Sequence, residues 1–287
     1  MNILLLAAQG QLGTDLSREL ESRGHKLHSL THADLEIQDA AAVRECLQRI
    51  RPDLVINPAA FHKVEECEKR PEQAFAVNSI GAWNVARAAA ACGAGVVFFS
   101  TDYVFGGGGG HGLPWRESDC PIPLNVYGAS KLAGEALVAA ATPRHFILRV
   151  SGLFGQAGSS GKGGNFVETM IRKAQEGLPV RVVNDQILSP TFTRHLAQAV
   201  ATLIRTDHFG LYHLSAADAC SWYEFAAAIY RMLSLTVDLR PVSSLEFPSP
   251  VLRPMYSVLD NDKYRQLCLP PIPAWEAGLQ EYLQARA

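Results

Sequence analysis

Short apolar segments alternate with helical patterns through the first 150 residues, and this alternation constrains the fold more than any other feature. The predicted strands cover residues 3–8, 26–30, 53–60, 95–105 and 146–150. Apolar residues at helical spacing predict the intervening helices over residues 12–24, 43–50, 71–92 and 126–141. Strands that alternate with helices form parallel sheets covered on both faces, so the predicted class is α/β, a Rossmann-like doubly wound sheet. Its ligands should bind beyond the carboxyl ends of the strands.

The alternation ends near residue 150. Residues 152–164 are rich in glycine and serine and are expected to form a loop, and residues 239–254 are irregular and rich in proline. The other elements predicted here are helices over 166–176 and 196–205 and strands over 180–183 and 211–214. We expect a main domain over residues 1–150, to which elements from about 191–217 return, and a smaller C-terminal α/β lobe formed mainly by residues 151–287.

Composition argues against several functional classes. The chain has 287 residues, is 48% hydrophobic and 19% charged, and carries a net charge of -2, which is typical of a globular protein that binds neither nucleic acid nor acidic membranes. No apolar run has membrane-spanning length, and the apolar N-terminus lacks the basic segment of a signal peptide, so we expect a cytoplasmic protein. The cysteines are scattered and show no zinc spacing, so we expect reduced thiols and no bound metal.

A glycine turn follows the first predicted strand. Gly10 and Gly13 occupy the second and third glycine positions of the pattern G-x-x-G-x-x-G, with Ala7 at the first and Gln11 and Leu12 between the two glycines. Such a turn lets the backbone approach a pyrophosphate, which binds unpaired N–H groups at the start of the following helix. Ala7 fits the turn if its φ is negative. The pattern predicts a nucleotide site; the alternative is an ordinary strand–turn–helix corner without a ligand.

The residues at the end of the second predicted strand do not distinguish between NADH and NADPH. Dinucleotide-binding folds often place an acidic residue there to bind the ribose 2′-hydroxyl, but this chain has His28 and Ser29. Glu36, which is followed by Ile37, comes later and could reach the adenosine end. NADH and NADPH therefore remain alternatives.

Tyr127 and Lys131 form a second signal. They are four residues apart at the start of a predicted helix, so they lie on one face, one turn apart. A nearby ammonium group favours the phenolate and lowers the pKa of a tyrosine, which makes proton exchange with a carbonyl oxygen easier near neutral pH. The alternative is a solvated helix face that carries a tyrosine and a lysine.

The position of this pair in the chain favours catalysis. Ser100, Thr101, Asp102 and Tyr103 close the fourth predicted strand at its carboxyl end, where a doubly wound sheet binds its ligands. Thr101 could donate a hydrogen bond to the same substrate oxygen as the tyrosine, although capping of the strand end is the alternative role for Ser100 and Thr101. The turn, the threonine and the Tyr/Lys pair together predict one catalytic site.

The chain resembles the extended short-chain dehydrogenase/reductases and, more specifically, the dTDP-4-dehydrorhamnose reductase family. The resemblance covers nearly the whole chain, and its most specific stretch is Tyr-Gly-Ala-Ser-Lys-Leu-Ala-Gly-Glu at residues 127–135. Other shared stretches are Asn-Pro-Ala-Ala at 57–60, Ala-Val-Asn at 76–78, Ser-Thr-Asp-Tyr-Val-Phe at 100–105, Asn-Phe at 165–166, Ser-Pro-Thr at 189–191 and Arg-Pro at 253–254.

The resemblance implies hydride transfer from NADPH or NADH to C4 of a dTDP-4-keto-6-deoxy-L-hexose. Tyr127 would protonate the new C4 oxygen, Lys131 would bind the nicotinamide ribose and Thr101 would hydrogen-bond the carbonyl oxygen. The implied cofactor-binding residues are Gly10, Gln11, Leu12, Gly13, Glu36, Ile37, Ala59, Ala60, Asn78, Ser100, Tyr127 and Lys131. The implied substrate-binding residues are Thr101, Asp102, Tyr103, Asn165 and Arg253. Residues 1–150 would then be the NAD(P)-binding domain and residues 151–287 mainly the substrate-binding lobe of a monomer or homodimer.

The chain departs from the family pattern at four places. Ala7 replaces a glycine of the turn, and Pro58 replaces a small residue. Glu36 stands where the family often has an aspartate near the adenine, and Gly152 with Leu153 stands where many members carry a tryptophan beside the sugar. The last change bears on the identity of the sugar.

Two other functions remain open at this point. One is a sugar-nucleotide epimerase or 4,6-dehydratase, although a dehydratase usually has Asp-Glu after the active-site threonine, where this chain has Asp102 and Tyr103. The other is a non-catalytic, cofactor-binding subunit that resembles the regulatory subunit of methionine adenosyltransferase.

Overall fold

The computed structural model describes residues 1–107, 112–158, 164–246 and 249–286. The strands in these ranges are β1 (Asn2–Leu5), β2 (Lys26–Ser29), β3 (Leu54–Asn57), β4 (Gly95–Thr101), β5 (His145–Val150), β6 (Leu153–Phe154), β7 (Val180–Val183), β8 (Ile187–Leu188), β9 (Thr191–Phe192), β10 (Gly210–His213), β11 (Cys220–Ser221) and β12 (Leu239–Val242). The helices are α1 (Gln11–Ser22), α2 (Ala40–Ile50), α3 (Val64–Lys69), α4 (Pro71–Phe75), α5 (Ala82–Ala91), α6 (Val126–Ala141), α7 (Phe166–Gln175), α8 (Thr193–Leu203), α9 (Trp222–Met232), α10 (Asp262–Gln266) and α11 (Trp275–Arg286).

The main sheet is parallel and has the strand order β2-β1-β3-β4-β5-β10. This arrangement confirms the predicted α/β doubly wound class. The chain goes from β1 to one edge for β2 and then to the other side of β1 for β3. The strand order therefore reverses between β1 and β3, and a crevice forms there beyond the carboxyl ends of the strands.

Both faces of the sheet are buried. Ile3 and Leu5 of β1 face α1 and α8, whereas Leu4 and Leu6 face the opposite layer, which contains α2 and α5. Successive side chains of a strand point to opposite faces, and both faces here are covered by helices. Strands in this position need nearly continuous apolar sequence, which is why they stand out in the first half of the chain.

A later part of the chain returns to this sheet. β10 pairs with β5 and extends the sheet at that edge. α8 packs on α1 through Leu196 and Val200. Both elements fall within the 191–217 segment that was expected to return, while the functional division of the chain into two domains stays a prediction.

The remaining C-terminal elements surround a second core. The rings of Phe154, Phe192 and Phe225 lie together, and Tyr282 of α11 closes the cluster with its ring centroid 5.6 Å from that of Phe154. Side chains cap two helices of this lobe: Asn165 accepts from the backbone N–H of Glu168 at the start of α7, and Ser221 caps α9. No helix in the described ranges is both long and apolar enough to cross a membrane.

Several predicted boundaries differ from the structure. β3 ends at Asn57, so Ala59 and Ala60 lie in a loop, and β4 ends at Thr101. A 3₁₀ turn, Asp102–Val104, follows β4 because the Thr101 side chain accepts from the backbone N–H of Tyr103 and ends the extended conformation. The polar side chain of Thr101 therefore turns the chain where the apolar pattern alone predicts a longer strand.

The predicted helix over residues 71–92 is interrupted. α4 and α5 flank a π-helical stretch, Ala76–Gly81, whose Asn78 is fully buried and hydrogen-bonded. The irregular segments contain short strands as well, β6 within 152–164 and β12 within 239–254, both of which pair with other strands. Residues 159–163 and 247–248 of those two segments lie outside the described residues.

Candidate active site

A cleft of about 1130 Å³ lies beyond the carboxyl ends of the sheet strands. Nearly all the site residues predicted from the sequence line it: Gly10, Gln11, Leu12, Gly13, Glu36, Ile37, Ala59, Ala60, Ser100, Thr101, Asp102, Tyr103, Tyr127, Lys131 and Asn165. Of the predicted set, all of which lies in the described part of the chain, Asn78 and Arg253 are outside this lining.

The glycine turn connects β1 to α1 at one end of the cleft. A Cβ atom on Gly13 would lie 2.3 Å from the carbonyl oxygen of Ala7, so only glycine fits there. α1 begins at Gln11 after Gly10, and within the described residues no side chain caps it. Its first N–H groups are therefore available to an anion such as a pyrophosphate.

Ala7 does not have the negative φ at which its side chain would fit the turn. Its φ is +47°, in the left-handed region that favours glycine. Its carbonyl oxygen accepts a hydrogen bond of 2.9 Å from the N–H of Gly10, which closes the turn. The turn has therefore kept the glycine-type conformation although it has lost the glycine.

Glu36 and Ile37 line the cleft on the far side of the glycine turn. The carboxylate of Glu36 lies 3.3 Å from His32 Nδ1, and both side chains are solvent-accessible. The side chain of Ile37 is buried against Gly81, where a Cβ atom would lie 2.7 Å from Ile37 Cγ1. Ile37 therefore contributes an apolar surface, and Glu36 with His32 contributes the polar groups.

Asn78 lies outside the cleft lining and binds the loop that forms part of it. Its Oδ1 accepts from the backbone N–H of Phe61 at 2.8 Å, and its Nδ2 donates to the Phe61 carbonyl and to Ser130 Oγ, each at 3.0 Å. These bonds fix the loop that carries Ala59 and Ala60 against α6. The sequence predicted a cofactor-binding role for Asn78; its geometry fits an indirect contribution through this loop.

Tyr127 lies in the first turn of α6. The helix starts there because Asn125 caps it, with its Oδ1 accepting from the N–H of Gly128 at 2.9 Å. Gly128 is needed as well, because a Cβ atom there would lie 2.2 Å from the Tyr103 carbonyl oxygen. This close approach brings Tyr127 beside Tyr103, with ring centroids 5.9 Å apart in an edge-to-face arrangement.

Lys131 follows one turn later and is 2% exposed. Its Nζ lies 4.1 Å from the centroid of the Phe98 ring, a cation–π distance. Burial lowers the pKa of Lys131 to about 7, against the opposing effects of Glu135 and Cys67. Loss of hydration therefore disfavours the ammonium form of Lys131.

Burial also dominates the acidity of Tyr127. It raises the pKa of Tyr127 above the ordinary value, a hydrogen bond with Thr101 lowers it in part, and the charge of Asp102 raises it further. The spacing of the pair predicted that the neighbouring lysine lowers this pKa. That prediction is wrong, because loss of hydration destabilises the phenolate more than nearby groups stabilise it.

Asp102 is buried among hydroxyl groups. It accepts hydrogen bonds from Thr101 Oγ1 at 3.1 Å, Ser151 Oγ at 2.9 Å and Ser257 Oγ at 2.6 Å. Burial raises the pKa of Asp102, although the three hydroxyl groups oppose this shift. The sequence assigned Asp102 to the substrate, yet the contacts of its carboxylate are to the protein.

Arg253 acts electrostatically on Tyr103, which lines the cleft. Its guanidinium group pairs with Glu65 of α3 and donates to Ser249. Burial raises the pKa of Tyr103 to about 12, and Arg253 opposes that shift. Glu65 lines the cleft, so Arg253 lies beside the cleft rather than in its lining.

Asn165 has little hydrogen-bonding capacity left for a ligand. Its Oδ1 accepts from the Glu168 N–H, and its Nδ2 donates to the Gly155 carbonyl at 2.9 Å and lies 3.1 Å from the Tyr282 hydroxyl. The sequence predicted substrate binding by Asn165. Its side chain instead caps α7 and joins that helix to α11.

Several residues that shape the site were not predicted from the sequence. Ser151 and Ser257 bind Asp102, and Phe166 and Trp222 line the cleft from the C-terminal lobe. The capping pattern Ser-x-x-Glu at 221–224 marks the start of α9 and was the available signal for Trp222. Nothing local in the sequence connects the two serines to Asp102.

The parallel sheet, the uncapped glycine turn and the Tyr127–Lys131 pair at the carboxyl edge define a class: the extended short-chain dehydrogenase/reductases. The chain belongs, within that class, to the family described as "RmlD substrate binding domain", whose sequence model matches residues 1–287. The resemblance to dTDP-4-dehydrorhamnose reductases found in the sequence is thereby confirmed.

Individual relatives match over nearly their whole length. The chain is 40% identical to the spore coat polysaccharide biosynthesis protein SpsK of Bacillus subtilis, over 99% of this chain and 98% of that protein. It is 37% identical to dTDP-4-dehydrorhamnose reductase of Escherichia coli, over 99% and 97%. The crystal structure of dTDP-4-dehydrorhamnose reductase from Bacillus anthracis in complex with NADP has a TM-score of 0.93 to this chain at 38% identity, covering 99% and 98% of the two chains.

Proposed function

We propose that this protein is an NAD(P)H-dependent reductase of the 4-keto group of a nucleotide-activated deoxysugar. The favoured reaction converts dTDP-4-dehydro-L-rhamnose to dTDP-L-rhamnose, as the names of its relatives suggest. One observation carries the proposal: Thr101, Tyr127 and Lys131 share a single cleft with an uncapped glycine turn.

The shape of the turn supports the nicotinamide cofactor. A Cβ atom would collide at Gly13, and the first N–H groups of α1 carry no side-chain cap in this described segment, which suits a pyrophosphate. Gly10 to Gly13 would hold the pyrophosphate, Glu36 and Ile37 the adenosine end, and Ala59 and Ala60 the middle of the dinucleotide. When bound, NADPH or NADH supplies the hydride for C4.

The remaining chemistry is proton transfer. As C4 gains hydride, its oxygen gains the hydroxyl proton of Tyr127, so a ketone becomes a secondary alcohol and Tyr127 becomes a phenolate. The raised pKa of Tyr127 keeps that proton in place until the oxygen becomes basic. Lys131, buried one turn along α6, would bind the nicotinamide ribose and stabilise the phenolate once charge develops.

The C-terminal lobe would bind the nucleotide sugar. Phe166, Thr169 and Trp222 line this side of the cleft. Gly152 also lies in the lining, where a larger side chain would contact Leu188. We assign cofactor binding to residues 1–150 with α8 and β10, and substrate binding mainly to residues 151–287, in a cytoplasmic monomer or homodimer.

The decisive experiment is a coupled assay. dTDP-4-keto-6-deoxy-L-hexose is made in situ from dTDP-glucose with a known dehydratase and epimerase, and the loss of reduced-nicotinamide absorbance is followed with NADPH and NADH separately. We expect protein-dependent consumption with dTDP-L-rhamnose as product. No consumption with either cofactor, from folded protein, would contradict the proposed reaction.

Tyr127→Phe tests the proton donor. We expect it to bind cofactor normally and to lose about 100-fold or more of kcat, because proton transfer by a positioned group contributes 10²–10⁴-fold. Tyr223→Phe is a matched control, because Tyr223 belongs to α9 and is outside the cleft lining. Full activity of Tyr127→Phe would refute the assignment.

A further inference from the structure

Gln11 is the first residue of α1, and it contacts both sides of the cleft. Its backbone belongs to the glycine turn, and its side-chain Nε2 donates a hydrogen bond of 3.0 Å to the carbonyl oxygen of Leu153. Both residues line the cleft. A carbonyl oxygen can only accept a hydrogen bond, so the amide nitrogen of Gln11 faces Leu153. One side chain therefore connects the proposed pyrophosphate site to a strand of the C-terminal half of the chain.

The strand that Gln11 holds carries residues of the proposed sugar side of the cleft. Leu153 begins β6 and directly follows Gly152, which also lines the cleft. β6 pairs with β9, and the Gly152 carbonyl accepts from the backbone N–H of Thr191 at 3.2 Å. The next residue, Phe154, packs in the aromatic core of the C-terminal lobe. The contact of Gln11 with β6 therefore fixes the lining of that lobe relative to the main sheet.

The loop after β6 also packs closely on α1. A Cβ atom on Gly155 would lie 2.0 Å from Thr193 Oγ1 and 3.0 Å from Gln11 Cγ, so only glycine fits there. Thr193 Oγ1 donates to Asp15 Oδ2 at 2.5 Å and lies 3.2 Å from the Phe154 carbonyl oxygen. Asp15 follows Gln11 by one turn on the same face of α1. Of these contacts between α1 and the C-terminal lobe, the amide of Gln11 is the one beside the glycine turn.

The first turn of α1 is the part of this connection that an anion can stabilise. Within the described ranges no side chain caps the helix, and its first turn contains no acidic residue. The partial positive charge at the start of the helix is therefore not compensated by the helix itself. A pyrophosphate at this position favours the ordered first turn, and in that turn Gln11 reaches Leu153.

We propose that the side chain of Gln11 couples the two ligand sites. A cofactor bound at the glycine turn stabilises the first turn of α1, and through Gln11 it holds Gly152 and Leu153 in the position that receives the nucleotide sugar. Gln11 is thus a positioning residue for the substrate, in addition to its backbone contact with the cofactor. The proposal rests on the reductase function proposed above. Because coupling between binding sites is reciprocal, the nucleotide sugar must tighten cofactor binding by the same factor.

Calorimetric titration measures this coupling. The probe is dTDP-L-rhamnose, the product of the proposed reaction, because NADPH cannot reduce it and the two ligands can be bound together without turnover. We expect NADPH to lower the Kd of the wild type for dTDP-L-rhamnose by about 5-fold or more. Titration in the reverse order should give the same factor for NADPH.

Gln11→Met removes the amide group and keeps the backbone N–H and the length of the side chain. The variant loses the bond to Leu153 and also Oε1, a buried acceptor with no partner among the described residues, so we expect it to fold. Its coupling factor should fall to about twofold or less, while Kd for NADPH alone stays within about threefold of wild type. Gln9→Met is the matched control, because Gln9 lies in the same turn but is exposed and outside the cleft lining.

Gln11→Asn separates the reach of the side chain from its polarity. Asparagine keeps the amide group but is one methylene shorter, so it loses the bond to Leu153, and the coupling should be lost as in Gln11→Met. This variant also serves if Gln11→Met does not fold. Wild-type coupling in either variant, or no coupling in the wild type, would overturn the proposal. Equal weakening of both ligands when each binds alone would overturn it too, because that result indicates a general distortion of the cleft.

Hydrogen exchange separates this proposal from the proposed reaction. Exchange is followed over residues 150–158 and at the N–H of Thr191, with and without saturating NADPH and in the absence of any nucleotide sugar. Bound NADPH should slow this exchange in the wild type and in Gln9→Met, but not in Gln11→Met. Unchanged exchange in the wild type would contradict the coupling. If the wild type reduces no keto sugar, the proposed reaction fails, while this protection still tests the link from the glycine turn to β6.

Discussion

At the residue scale, Ala7 adopts a backbone conformation that favours glycine. Its φ of +47° places a methyl group where glycine has none, and a left-handed conformation costs about 1–2 kcal/mol for an L-residue. The rest of the turn requires this conformation, because the Ala7 carbonyl both accepts from Gly10 and faces Gly13. The strain therefore remains in the folded protein.

Ala7→Gly should stabilise the protein. The relief of strain exceeds the entropy that glycine adds to the unfolded chain, so we expect a gain of about 0.5–1 kcal/mol and a Tm higher by about 1–2 °C. Ala8→Gly is the matched control and should lower Tm, because Ala8 is not among the residues with positive φ. The Tm values of wild type, Ala7→Gly and Ala8→Gly are compared by thermal unfolding at one pH. A lower Tm for Ala7→Gly than for wild type would contradict the inferred strain at Ala7.

Two helix starts position aromatic side chains of the C-terminal lobe at the cleft. Phe166 follows Asn165, the cap of α7, and Trp222 follows Ser221, the cap of α9. Their ring centroids are 4.6 Å apart, and both rings line the cleft. Because each cap holds the first turn of its helix, the rings have fixed positions and offer a stacking surface for a nucleobase.

Trp222→Leu should weaken the binding of dTDP. Loss of base stacking costs about 1–3 kcal/mol, so we expect Kd for dTDP to rise about 5-fold to 100-fold, while Kd for NADPH stays unchanged. Trp222→Phe retains a ring and should remain within about threefold of wild type. Calorimetric titration gives both constants, and equal dTDP affinity for Trp222→Leu and wild type would exclude stacking on this residue.

At the scale of the whole molecule, His213 joins three distant parts of the chain. It lies on β10, and its Nδ1 is 3.0 Å from the Trp115 carbonyl oxygen, so this nitrogen carries the proton. Its Nε2 is 3.4 Å from Arg149 of β5, which forms a bidentate pair with Glu135 of α6. Burial and the charge of Arg149 lower the pKa of His213 from its ordinary 6.5 to about 3.

This lowered pKa predicts acid sensitivity. Between about pH 6.5 and about pH 3 the unfolded chain binds a proton at His213 that the folded protein does not, so the stabilisation present at neutral pH is lost as the pH falls. His213→Asn keeps a donor for the Trp115 carbonyl and should flatten the slope of unfolding free energy against pH. His208→Asn, at an exposed position, should leave the slope unchanged. Urea unfolding between pH 7 and pH 4 tests this, and parallel slopes for wild type and His213→Asn would contradict it.

Much of the fold and part of the site followed from the sequence by itself. Strands buried on both faces need continuous apolar runs, so β1, β3, β4 and β5 were predictable, and the spacing of Tyr127 and Lys131 implied one helix face. Gly13 was informative because the close approach of the Ala7 carbonyl permits no side chain there. Each of these signals is local in the chain.

Only the tertiary structure determined the long-range contacts and the acidity of these residues. Asp102 meets Ser151 and Ser257 from 49 and 155 positions away, and no local pattern records such contacts. The acidity of Tyr127 and Lys131 likewise depends on burial, which is a property of the packed molecule. The sequence determined most of the elements and the side chains available to the candidate site, whereas the packing of distant segments determined their acidity, their hydrogen-bond partners and the shape of the cleft.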